Sequence, residues 1–148
     1  MTQFSALIER LEKAPGPDRE LDADIFRAIG LTDKQERHCT EWCRMAGRTD
    51  LTRDRYIAAW APAFTRSIDD AFTLVPECPK PWPGLVPNPH LWVVIEREWR
   101  RKFGDDKIYP HFKAGLHDNG AERCWEGGSP VNLPIALSIA ALRARAEG

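Results

Sequence analysis

Apolar residues along this chain recur first at helical spacing and then at strand spacing, and the change falls near residue 90. Phe4, Leu7, Ile8 and Leu11 predict a short first helix that ends at Pro15-Gly16-Pro17. Leu21, Ile25, Ala28 and Ile29 predict a second, with Pro17 in its first turn, Asp18 and Glu20 near its positive end and Gly30 as its C-terminal stop. Thr32 with Gln35 is a capping-box pattern, followed by one face of Cys39, Trp42, Cys43 and Ala46. A further helix follows Thr52 and carries Tyr56, Ile57 and Trp60, and Thr65 predicts a cap for the helix bearing Ile68, Ala71, Phe72 and Val75.

Six prolines between residues 76 and 90 exclude helix and central strand there, and predict a stiff extended loop. Such a loop connects helix to sheet, or docks in a groove that reads polyproline geometry. Leu91–Trp99 is β-branched and aromatic, Tyr109–Leu116 alternates, and Asn119-Gly120 is a hairpin signal leading into a third strand at 121–126. Gly127-Gly128 is expected to break that strand. The closing helix starts near Asn132 with Ile135, Ile139 and Leu142 on an inner face, and its alanines at 136, 140, 141 and 144 allow a close neighbour. Helices, a three-stranded antiparallel meander and one closing helix predict an α+β fold in a single domain spanning 1–148.

Composition narrows the function classes. The 148 residues carry a formal charge of -1, which supplies no field to recruit a polyanion, so nucleic acid is disfavoured as a partner. The N-terminus lacks a secretory pattern, and no apolar run reaches the length needed to span a bilayer. Four cysteines without a signal segment read as reduced thiols, so the expected setting is cytoplasmic, with no membrane partner.

Candidate chemistry is sparse. Cys39 and Cys43 lie at i and i+4, usable geometry for zinc with His38, but His38 sits about 100° around a helix from Cys39. The plain reading is a buried thiol beside Trp42, so no metal or cofactor is expected. Cys124 faces His111 or His117 across a hairpin, the arrangement a cysteine nucleophile would need, although any hairpin brings such pairs together. The carboxylate pairs Asp22/Asp24, Asp69/Asp70 and Asp105/Asp106 fall where acids suit helix starts and turns. No G-x-S-x-G, P-loop, H-E-x-x-H or G-x-G-x-x-G occurs. The best ligand-facing candidate is Arg97, Arg100, Arg101, Lys102 and Lys107 with Trp92, Trp99 and Phe103 interleaved, since Arg and Trp are enriched in binding hot spots.

Three segments jointly carry a resemblance: Gly16-Pro-Asp-Arg-Glu-Leu-Asp-Ala-Asp-Ile25, Phe64-Thr-Arg-Ser-Ile-Asp-Asp-Ala-Phe-Thr-Leu-Val-Pro-Glu77 and Leu133-Pro-Ile-Ala-Leu-Ser-Ile-Ala-Ala-Leu-Arg-Ala-Arg-Ala146. Together, over about two-thirds of the chain, they resemble the phage ABA sandwich family of bacteriophages and prophages. The resemblance implies an α/β sandwich with a small antiparallel sheet and a phage accessory origin, in the cytoplasm of the bacterial host, and it carries no activity onto residues. It also implies that 31–62 is an inserted helical stretch, and that the proline loop replaces a direct run from Val75-Pro76-Glu77 into the tryptophan-bearing strand.

These readings combine into an expected non-enzymatic accessory protein that binds a host protein, with counter-defence as one such role. The binding residues would be Trp82, Trp99, Arg97, Arg100, Arg101 and His111. The alternative is a nucleotide or other small-molecule binder, sequestering or hydrolytic, which uses the sheet face with His111, His117 and an arginine. The alanine face of the last helix leaves a homo-oligomer open.

Overall fold

A computed structural model describes residues 3–76, 91–101, 108–118 and 123–147, with residues 91–101, 108–110 and 118 described by backbone and register. Helices α1 (Gln3–Lys13), α2 (Arg19–Ile29), α3 (Asp33–Cys43), α4 (Arg53–Trp60) and α5 (Ile68–Phe72) precede strands β1 (Leu91–Arg101), β2 (Ile108–Asp118) and β3 (Arg123–Ser129). Helix α6 (Leu133–Glu147) closes the chain, which is α+β. The strands pair antiparallel in the order β1-β2-β3, with Ile95 opposite Ala114 and Leu116 opposite Trp125. The proline loop at 77–90, the basic residues Lys102 and Lys107 and the Asn119-Gly120 turn lie outside the described residues.

Local signals set most helix ends. Thr32 Oγ1 accepts from the Gln35 amide at 3.3 Å while Gln35 Oε1 accepts from the Thr32 amide at 2.8 Å, the reciprocal cap its spacing predicts. Gly30 ends α2 at φ +79°, a conformation that strains any side chain. The helix after residue 62 departs from expectation. It is capped by Ser67, not Thr65, and spans five residues. Thr65 is fully buried and committed elsewhere: its amide donates to Asp22 Oδ1 at 2.8 Å, and its hydroxyl accepts from the Asp18 amide at 2.9 Å.

The core centres on α6, which packs against β2 and β3 and also against α1 and α5. Every residue from Ile135 to Leu142 has no exposed surface, the signature of a helix covered on all sides rather than along one stripe. The expected inner face of Ile135, Ile139 and Leu142 is therefore only part of its buried surface. Each such isoleucine or leucine contributes about 1.5–3 kcal/mol through burial. The alanines at 136, 140, 141 and 144 are spent inside this core.

Gly127 and Gly128 do not end β3 but lie within it. A methyl group at Gly127 would sit 2.0 Å from the Ala136 carbonyl oxygen and 2.7 Å from the Ala140 nitrogen. The strand needs glycine there because the backbone of α6 presses directly onto it. Two small residues of the helix and one absent side chain on the strand make a single close contact.

The three segments that carry the family resemblance meet at one polar hub. Asp18, Arg19 and Asp22 come from the first, Phe64 and Thr65 from the second and Ser138 from the third, joined by Asn132, the residue just before that third segment. Asn132 Nδ2 donates to the Thr65 carbonyl at 2.9 Å, Ser138 Oγ to the Phe64 carbonyl at 3.1 Å, and Arg19 to the Ala61 carbonyl at 2.8 Å. Among the described residues no buried side-chain polar atom lacks a partner. Burial pushes the Asp22 carboxyl above the usual aspartate range, against the opposing pull of the Thr65 hydrogen bonds and Arg19. These segments hold the scaffold together.

Candidate functional site

Residues 31–62 fold as the α3–α4 pair, and their aromatic residues converge. His38 and Trp42 come from α3, Tyr56 and Trp60 from α4. The His38 ring meets Trp60 edge-on with centroids 4.7 Å apart, Tyr56 stacks on Trp60 at 6.2 Å, and Trp42 meets Tyr56 edge-on at 5.9 Å. Spacing alone explains part of this, since Tyr56 and Trp60 are four residues apart on one helix face. Tyr56 and Ile57 turn into the core, whereas Trp60 remains 51% exposed and Met45, beyond the end of α3, 55%.

Polar contacts rigidify the patch. His38 Nδ1 lies 3.0 Å from the Tyr56 hydroxyl. Burial raises the Tyr56 phenol further from ionisation, so its hydroxyl keeps its proton in this contact. Arg53 grips both carboxylate oxygens of Glu36 at 2.6 and 2.7 Å, joining α4 to α3 and holding Glu36 below the usual carboxylate range. Asp50 accepts from Arg48 and Arg55 and pins the connecting turn.

His38, Cys39 and Cys43 all lie on α3. His38 points to Tyr56, Cys39 is buried, and burial followed by a hydrogen bond with Cys43 raises its thiol. Among the described residues no group of three or more metal-ligating side chains comes together.

The sheet carries the second cluster. His117 stands opposite Cys124, with Nε2 3.7 Å from Sγ, and its ring rests over Gly115, where an added Cβ would lie 2.9 Å from Nε2. His111 lies in the same way over Gly128. The two histidines are six positions apart, about 20 Å along a strand, so they do not converge on one pocket. Cys124 is exposed, and burial of its sulfur together with the Glu126 charge raises the thiol, the opposite of an activated nucleophile.

The sequence-predicted Arg/Trp corner maps onto β1. Register sets Arg97, Trp99 and Arg101 opposite Phe112, Pro110 and Ile108, and sets Arg100 opposite Tyr109. Alternation along the strand puts Arg100 at a position of the other face from the remaining three. Trp82 lies outside the described residues. Between α1 and α2 runs a groove lined by Leu7, Arg10, Asp24 and Arg27. Both of its arginines bind Asp24, at 2.5 and 2.6 Å, so neither is free for an anion. No helix of the described residues is long and apolar enough to cross a membrane.

The aromatic patch is hidden in the sequence because its partners lie 14 to 22 residues apart on two helices; the Tyr56–Trp60 spacing is its one local signal. No protein-family model, no curated protein and no solved structure matches this chain.

Proposed function

We propose that this protein acts by binding another protein through the α3–α4 patch, as a non-catalytic phage accessory protein directed at a host factor, with counter-defence as the role to test first. One observation carries the reading: a packed cluster of His38, Tyr56 and Trp60 leaves a tryptophan half exposed on the α3–α4 pair. Tryptophan held by packed neighbours is the residue type and setting of interface hot spots, because it costs little ordering entropy on binding. The raised thiol of Cys124 and the separation of His111 from His117 favour binding over hydrolysis at the sheet.

Affinity capture from bacterial lysate with the wild type, Trp60→Ala and the distant surface control Glu9→Gln tests this. The expected result is a stoichiometric protein partner retained by the wild type and the control and lost with Trp60→Ala. Equal retention by all three, or no partner at all, overturns the proposal.

A further inference from the structure

We propose that His117 and Cys124 form a two-point nitrogen–sulfur site for a thiophilic divalent cation, Zn²⁺ or its spectroscopic substitute Co²⁺. The geometry is already set. With metal–nitrogen and metal–sulfur bonds of about 2.05 and 2.3 Å, a nitrogen–sulfur separation like the one seen here subtends about 115° at the ion, near the tetrahedral angle. That separation is 3.7 Å, measured from Nε2 to Sγ.

The pairing is pinned by the other face of the same strands. Leu116 and Trp125 stand next to the pair in register and are buried. A one-residue slip would turn both out to solvent, so the register that aligns His117 with Cys124 is strongly specified. Gly115 leaves the space that the imidazole occupies. Cys124 is exposed and His117 partly so, which gives an ion a path in.

The chemistry balances without a redox step. Binding exchanges the Cys124 S–H bond for a sulfur–metal bond and releases one proton to the buffer, while the His117 imidazole offers its Nε2 lone pair. The Glu126 carboxylate, whose charge reaches Cys124, opposes a free thiolate but favours a cation beside it. The described residues supply two ligands at this point, so water completes the tetrahedron and the ion is exchangeable. A thiol–imidazole hydrogen bond has the same separation, and metal titration distinguishes the two.

The test uses the full chain titrated with Co²⁺, read as thiolate-to-cobalt absorption in the near ultraviolet, with Zn²⁺ measured by calorimetry. One ion per chain is expected, with the cobalt–thiolate band absent in Cys124→Ser and Zn²⁺ binding weakened at least about tenfold in both Cys124→Ser and His117→Gln. Cys43→Ser retains the band. Circular dichroism checks that each variant is folded, and Zn²⁺ should also slow alkylation of Cys124 in the wild type, mapped by peptide mass spectrometry. A band that survives Cys124→Ser, or no band and no protection at millimolar metal, overturns the site.

Discussion

Replacing Gly127 by alanine adds one methyl group at the tightest point of the molecule. An added Cβ would lie 2.0 Å from the Ala136 oxygen, 2.7 Å from the Ala140 nitrogen and 2.9 Å from Ile139 Cβ. Two of those three atoms are helix backbone, which no side-chain rotation can move aside. Ordinary carbon–oxygen contact needs more than about 3 Å, so strand and helix must separate by roughly an ångström along that direction. That movement loosens the packing of Ile135–Leu142, whose surface is wholly buried. Overpacking a well-filled core costs about 1–3 kcal/mol and occasionally more, and a backbone obstruction places this case at the upper end, near 3 kcal/mol. With a urea slope of about 2 kcal/mol per molar, the unfolding midpoint falls by about 1.5 M. Gly16→Ala is the matched control, since an added Cβ there meets nothing within 4 Å and its backbone needs no positive φ. Restricting the unfolded chain should stabilise that variant by about 0.4–1 kcal/mol. Urea titrations followed by tryptophan fluorescence measure both. A Gly127→Ala midpoint within experimental error of wild type would refute the close contact between β3 and α6.

Further outcomes follow from the polar hub and the caps. Asp22→Ala leaves the buried Thr65 amide without its acceptor and should cost about 1–3 kcal/mol in urea unfolding. Asp22→Asn keeps an acceptor and should be close to neutral, but it changes the pH response. The folded-state carboxyl is raised, so its protonated form stabilises the fold below the unfolded aspartate pKa, and that contribution is lost as pH rises through the folded value. Melts across mildly acidic pH should therefore show a component in the wild type that is missing in Asp22→Asn. Asn132→Ala removes both the cap on the Ile135 amide and the bond to the Thr65 carbonyl, for a loss of about 1–2 kcal/mol by chemical denaturation. Gly30→Ala, at φ +79°, should cost about 1 kcal/mol in the same assay.

Much of the fold was legible because it was written locally. The Thr32–Gln35 cap, the Gly30 stop, the β-branched run of β1 and the alternation of β2 each act within a few residues of themselves. The misreadings share a cause. Thr65 looks like a helix cap until Asp22, 43 positions away, claims its amide. Gly127 looks like a strand breaker until α6 is laid across it, and α6 shows one apolar stripe until helices cover its other sides. Each is a tertiary contact overriding a local preference. The site was less legible still. His117–Cys124 could be anticipated from the hairpin, but the patch formed by His38, Tyr56 and Trp60 depends on how two helices cross, which spacing within either one does not encode.

The fold is closed largely by side chains that grasp main chain. Arg19 holds the Ala61 carbonyl, Asn132 that of Thr65, Ser138 that of Phe64, Arg145 that of Leu74 and Arg143 that of Glu126. A carbonyl oxygen is the same whatever residue bears it. Each of these five bonds therefore constrains one identity and leaves the other free to drift, whereas a salt bridge between side chains constrains two. Replacing the exposed Glu126 leaves in place the carbonyl that Arg143 holds. Kinship would then survive as a few scattered donors long after the rest of the text had changed.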